Sequence, residues 1–313
     1  MGVVETQGLG KRYAAGSVVA LEDLTLDLGG GVTGLVGANG AGKSTLIKIL
    51  LGLLRPTSGS ARVLGHDITG AGPQIRQVVG YLPEHDCLPP DMRAIDFVVH
   101  MGRMSGLPAA AARERAADVL RHVGLAEERY RLMGTYSTGM KQRAKLAQAL
   151  VHDPRLVMLD EPTNGLDPAA RDDMLGLIRR IGHDFGIPVL VTSHLLGELE
   201  RVSDHVVVLD AGHLLRSEST RSFLGDTGVL VVEVLEPAGH GSDAQARMGR
   251  ALAGRGLVCR PRGTLLEIDP TTTAPDVLRD LVRDTAVDLG LGLVRLQAKT
   301  GQLEDVFREE VAR

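Results

Sequence analysis

Eight consecutive residues, Gly37-Ala38-Asn39-Gly40-Ala41-Gly42-Lys43-Ser44, have the spacing of a phosphate-binding loop. The glycines let backbone N–H groups turn inward without a Cβ in the way. The helix predicted to open at Lys43 adds the positive end of its dipole to that nest. In such a loop Lys43 reaches the β- and γ-phosphates of a nucleotide, Ser44 offers a hydroxyl to Mg²⁺, and Thr45 bonds a further phosphate oxygen. A glycine-rich chain can produce such a pattern by chance, but here it follows an apolar run and opens a helix, as the chemistry requires.

A second set of reactive groups lies over a hundred residues further on. The apolar run Leu156-Val157-Met158-Leu159 ends in Asp160-Glu161. An acid at the end of such a strand holds Mg²⁺, directly or through water, opposite the loop hydroxyl, and Asp160 suits that role. Strand alternation predicts that Glu161 points to the other side, where it polarises an attacking water as general base. Thr192-Ser193-His194 closes another apolar run, and a histidine there can bond a γ-phosphate and orient the water. Taken singly, an acidic pair or a histidine at a strand end is an ordinary solvated terminus; only the set suggests hydrolysis.

These residues need a rigid frame. Short apolar runs at Val32–Val36, Val78–Leu82, Leu156–Asp160, Pro188–Thr192 and Val206–Asp210 suit strands buried on both faces of a parallel sheet. Helical patterns over Lys43–Leu54, Ala109–His122, Lys141–Val151 and Ala170–Ile181 supply the crossovers of an α/β architecture. The stretch between the strands at Val78 and Leu156 is too long for one crossover, so a helical subdomain over about 85–152 is expected. Beyond about residue 220 the pattern changes. A strand at Val229–Leu235, a Gly-rich break at Gly239–Ser242 and a helix at Ala244–Ala253 come first. Strands near Val258 and Leu265, a helix at Ala274–Thr285, a strand at Leu291–Gln297 and a closing helix from Leu303 complete a small α+β domain. The expected division is therefore 1–220 and 221–313.

Composition narrows the partners. The net charge is −4, aromatics make up 3% and tryptophan is missing, which argues against a nucleic-acid platform. Cys87 and Cys259 are too few and too far apart for a disulfide framework or a metal site, so both are expected as reduced thiols in the cytosol. There is no signal-peptide pattern and no run of 18 apolar residues, so a membrane role must come through a partner.

At this point the sequence resembles the ATP-binding cassette of ABC transporters, a P-loop NTPase fold, with the family's motifs in the family's order. The resemblance places Tyr13 where an aromatic stacks on adenine. It aligns Tyr136-Ser137-Thr138-Gly139-Met140 with the signature segment, Asn164-Gly165-Leu166-Asp167 with the D-loop and His194 with the switch histidine. Ser137 and Gly139, leading into a helix expected near Met140, offer a hydroxyl and backbone N–H to an anion. In the family that anion is the γ-phosphate held by a second cassette, so two ATP molecules are sandwiched in a head-to-tail dimer. Glu84 stands where many cassettes carry a glutamine; a carboxylate approaches Mg²⁺ through water but donates no amide hydrogen bond.

The resemblance implies an ATPase with ATP and Mg²⁺ as cofactors, a second ABC subunit (as a homodimer) and a separately encoded transmembrane permease. That assembly would hold the chain peripherally at the cytoplasmic face of the membrane. Tyr81-Leu82-Pro83-Glu84, Ser137 to Arg143 and Leu303 to Phe307 resemble the exporter branch, which serves drugs, antibiotics, lipids and polysaccharides. Two alternatives compete. A translation or repair factor would ordinarily bring paired cassettes, a long coiled coil or zinc-binding cysteines, none of which the sequence carries. A nucleotide-binding regulator without turnover has no need of Glu161 and His194.

Overall fold

The computed structural model describes residues 2–13, 18–223, 226–236, 243–269 and 275–300, and it divides into two compact units that meet in sequence at 221/222. The first unit is built on two sheets. One is antiparallel, formed by β1 (Val4–Tyr13), β2 (Val18–Leu28), β4 (Ser58–Val63) and β5 (His66–Asp67) in the order β2-β1-β4-β5. The other has six strands: β3 (Val32–Val36), β6 (Val79–Leu82), β7 (Leu156–Asp160), β8 (Val189–Ser193), β9 (His205–Asp210) and β10 (His213–Ser219). Their order is β10-β9-β3-β8-β7-β6, parallel except for the β9–β10 hairpin at one edge.

The apolar runs form central strands for the expected reason: β3, β7 and β8 are buried at every residue, so both faces must be apolar. The antiparallel sheet is absent from the expectations above. Its signal was present in Leu24-Thr25-Leu26-Asp27-Leu28, where leucines are buried and Thr25 and Asp27 exposed, a period of two along β2. Both sheets share a core in which Leu24 and Leu26 pack with Leu46, Ile47 and Leu50 of α1 (Lys43–Leu50) and Leu35 of β3.

Boundaries moved where caps and turns overrode periodicity. Helix α1 stops at Leu50 rather than Leu54, because the chain closes into a turn at 51–54. Val78 ends α2 (Gly72–Val78), so β6 begins one residue later than expected. Between β6 and β7 stand α3 (Ala94–Met104), α4 (Ala109–His122) and α5 (Thr138–Leu150), packed through Val98, Ala112, Ala116, Leu120 and Leu146. Helix α5 starts at Thr138 rather than near Met140, since Ser137 is its N-cap and accepts from the Met140 N–H at 3.3 Å. Helices α6 (Pro168–His183) and α7 (Leu196–Val202) also belong to this unit.

A one-turn helix α8 (Thr220–Phe223) lies where the units divide in sequence. The second unit has an antiparallel sheet of β11 (Asp226–Leu235), β12 (Val258–Arg262), β13 (Leu265–Asp269) and β14 (Gly292–Thr300), ordered β12-β13-β11-β14. Helices α9 (Ala244–Ala253) and α10 (Pro275–Asp288) cover it, and Val232, Met248, Leu252, Ile268, Leu278 and Val282 form its separate core. The break at Gly239–Ser242 and the closing helix from Leu303 lie outside the described residues, as does the Leu303–Phe307 motif.

Candidate functional site

The parallel sheet brings the reactive residues together at its carboxyl end. Strand β3 is central, with β8 beside it and β7 beyond, and their registers align Val36 with Ser193 and Asp160 with Thr192. The phosphate loop leaves β3, Glu161 follows β7 and His194 follows β8, so loop, acid and histidine meet at one edge.

They line a cavity of about 600 Å³, bounded by Ala20, the whole of Ala38–Thr45, Glu84, Glu161, Asn164 and His194. The loop's shape depends on its glycines. Gly42 has φ +102°, and a Cβ there would lie 2.4 Å from the Ala20 carbonyl oxygen and 2.7 Å from Leu21 Cδ2. Gly37 is held equally close, with the Leu209 carbonyl oxygen 2.4 Å from where a Cβ would stand. The turn is thus clamped between β2 and β9, and only glycine fits.

Lys43 is 7% exposed. Its ammonium donates to the carbonyls of Gly37 (2.7 Å) and Ala38 (3.3 Å) and lies 3.7 Å from Glu161 Oε1. The other oxygen of that carboxylate, Oε2, is 2.8 Å from His194 Nδ1. Glu161 is therefore flanked by a lysine and a histidine, one on each oxygen. Its placement corrects the strand-alternation expectation. Glu161 lies past the end of β7 with φ +50°, a left-handed backbone rare outside glycine, and this kink rather than the pleat turns it into the cavity.

Asp160 is 2% exposed and stands behind the loop, where its Oδ1 accepts from Ser44 Oγ at 3.3 Å. Thr192, fully buried on β8, has a role that the sequence pattern does not indicate. Its hydroxyl donates to Asp160 Oδ1 (2.8 Å) and accepts from the Glu161 N–H (2.9 Å), so one side chain ties both acids to the neighbouring strand. Burial, helped by the nearby Asp160 carboxylate, pushes the Tyr81 phenol on β6 up to about 12, so it remains protonated.

Glu84 lines the cavity and also a smaller one of about 280 Å³ that it shares with Asp86, Thr138, Lys141, Gln142, Lys145, Asn164 and Gly165. Asn164, which the sequence suggested only as part of a motif, lines both. Five expected nucleotide contacts are not among the residues lining the larger cavity: Gly37, at the start of the loop, and four that lie elsewhere in the chain. Tyr13 ends β1 and is 38% exposed, with Lys11 Nζ 5.2 Å from its ring centre. Ser137 and Gly139 are the cap and first turn of α5, and Asp167 caps α6 by accepting from the Ala170 N–H at 2.9 Å. Cys87 and Cys259 are both free thiols. No described helix is long and apolar enough to cross a membrane.

A family model described as ABC transporter matches residues 21–164, from β2 through the phosphate loop and α5 to Asn164. The chain is 37% identical over 251 residues to the daunorubicin/doxorubicin resistance ATP-binding protein DrrA of Streptomyces peucetius, covering 80% of this chain and 74% of that protein. It is 29% identical over 315 residues to the bacitracin transport ATP-binding protein BcrA of Enterococcus faecalis, covering 97% and 95% of the two. Among solved structures, cbiO1 of Clostridium perfringens, part of the ABC transporter complex cbiONQ, superposes with a TM-score of 0.65 at 25% identity, over 71% of this chain and 90% of that one. With this cavity at the carboxyl end of its parallel sheet, the chain belongs to the ABC transporter family, as one of its ATP-binding and ATP-hydrolysing subunits.

Proposed function

We propose that the chain powers an exporter, its hydrolysis cycle opening and closing a cassette dimer on a separately encoded permease. The convergence of Lys43, Ser44, Glu161 and His194 on one cavity carries the catalytic part of this reading. Relatives named for drug resistance and bacitracin transport support the export part. In this assignment residues 1–220 are the cassette, with its helical subdomain at about 85–152, and 221–313 an accessory domain.

ATP enters with its phosphates against the N–H groups of 38–45, and Lys43 exchanges the carbonyls of Gly37 and Ala38 for β- and γ-phosphate oxygens. Phosphoryl transfer needs little covalent help, so positioning and charge do most of the work. Glu161 accepts the proton of the attacking water. His194, with Nδ1 engaged by Glu161, presents Nε2 to the γ-phosphate and holds the carboxylate in line. Ser44 and Asp160, whose oxygens lie 3.3 Å apart, and Glu84, which lines the same cavity as Ser44, would hold Mg²⁺ through the oxygen donors it prefers. Bound there, Mg²⁺ would neutralise charge on the phosphate oxygens.

Tyr13 is assigned to the adenine and Ser137, Gly139 and Asp167 to the facing subunit's nucleotide, in keeping with their places off this chain's own cavity. The resulting homodimer would sit peripherally at the cytoplasmic face of the membrane, held by the permease. The decisive experiment is Glu161→Gln. Hydrolysis should fall by about 10²- to 10⁴-fold while ATP binding survives and an ATP-bound dimer accumulates on size exclusion. Undiminished hydrolysis would remove the base assignment. Failure to co-purify with any permease encoded beside it would remove the export reading.

A further inference from the structure

The loop that follows β6 is fastened to one face of α5 at three successive points. Lys141 Nζ pairs with Asp86 Oδ2 at 2.8 Å. Lys145 Nζ donates to the carbonyls of Glu84 (3.1 Å) and His85 (3.2 Å). Cys87 Sγ lies 3.9 Å from Gln148 Oε1. Residues 141, 145 and 148 have the spacing of one helical stripe, so the loop and the helix are laced along their length.

The middle point differs from the other two. Lys141 and Asp86 are partly exposed, as a surface ion pair would be, and such a pair holds little. Lys145 is only 2% exposed, and an ammonium in that position is costly to bury unless its donors are used. Burial holds it below the ordinary lysine range, against the pull of Cys87, Asp86, Glu84 and Asp160. Its hydrogen bonds go to the carbonyls of two adjacent loop residues, and one of these, Glu84, lines the nucleotide cavity.

We propose that Lys145 is a positioning residue for Glu84. Its ammonium pins the carbonyls at 84 and 85, so that the Glu84 carboxylate is presented to the nucleotide cavity and travels with α5, the helix capped by Ser137. The assignment rests on the reading of Glu84 as a group that serves the bound nucleotide and its Mg²⁺. A lysine that merely filled space would serve as well with its charge removed. One that aims Glu84 would be felt in turnover more than in ATP affinity, since the phosphate loop is untouched.

The test is a double-mutant cycle on the full-length chain with Mg·ATP, comparing Lys145→Met, Glu84→Ala and the pair. Lys145→Met should lower kcat by at least about fivefold with KM for ATP moving less than about twofold, and add less than about twofold in the Glu84→Ala background. Lys145→Arg, which keeps donors, should recover most of the loss. Wild-type kcat in Lys145→Met, or its full effect repeated on top of Glu84→Ala, would overturn the positioning role alone. A silent Glu84→Ala would overturn the reading of Glu84 and the role of Lys145 with it. If Lys145→Met does not fold, Lys145→Leu, which likewise has no donor, replaces it in the same cycle with the same criteria.

Discussion

The Thr192 hydroxyl offers the sharpest check on how the acids are held. Thr192→Val keeps the shape and removes one oxygen at a position with no exposure. Two bonds go with it: the 2.8 Å donation to the Asp160 carboxylate and the 2.9 Å acceptance from the Glu161 N–H. A hydrogen bond to a charged group contributes about 1.5–3 kcal/mol and a neutral one about 0.5–1.5, so roughly 2–4 kcal/mol is at stake. For a unit of some two hundred residues that corresponds to a fall of roughly 5–15 °C in melting temperature. Turnover should suffer as well, because the left-handed turn at Glu161 loses one of its anchors while Lys43 and His194 remain. Differential scanning fluorimetry and a phosphate-release assay read the two effects, with Thr192→Ser as the control that keeps the hydroxyl. If Val melts within about 2 °C of the parent, or Ser loses as much as Val, the clamp is not what holds the acids.

Three further outcomes follow from the geometry. Gly42→Ala places a Cβ 2.4 Å from the Ala20 carbonyl oxygen at φ +102°, so the loop must open; with strain of about 1–3 kcal/mol, equilibrium binding should show ATP affinity sharply reduced. His152, whose Nε2 lies 3.3 Å from the Val79 carbonyl oxygen, is held by burial below its ordinary 6.5. The fold thus favours the neutral ring, so its contribution is complete above about pH 6.5 and is lost as pH falls through the lowered value. Melting temperature should drop between about pH 7.5 and 5, and His152→Gln should flatten part of that slope; an unchanged slope counts against it. Both thiols being free, reducing agent should leave mass and melting temperature unchanged, whereas a shift in either would show a disulfide.

What the sequence determined by itself was local. The phosphate loop is a run of eight residues whose backbone demands are written in its glycines, and the strand before it and helix after it carry strong periodic signals. The buried strands β3, β7, β8 and β9 were legible because burial on both faces leaves nearly continuous apolar runs. Helix α4 was legible to the residue, since its alanine-rich amphipathic pattern has no rival conformation.

Tertiary structure decided the rest, because the remaining interactions join residues that share no sequence neighbourhood. Glu161 is aimed by a left-handed kink that no propensity would assign to glutamate. Thr192 serves Asp160 and Glu161 only because β7 and β8 are adjacent in the sheet, which places residue 160 opposite 192. Lys145 meets the carbonyls of Glu84 and His85 across some sixty residues, through the packing of α5 against the loop after β6. A motif specifies which groups are present; the order of strands in the sheet specifies which of them touch.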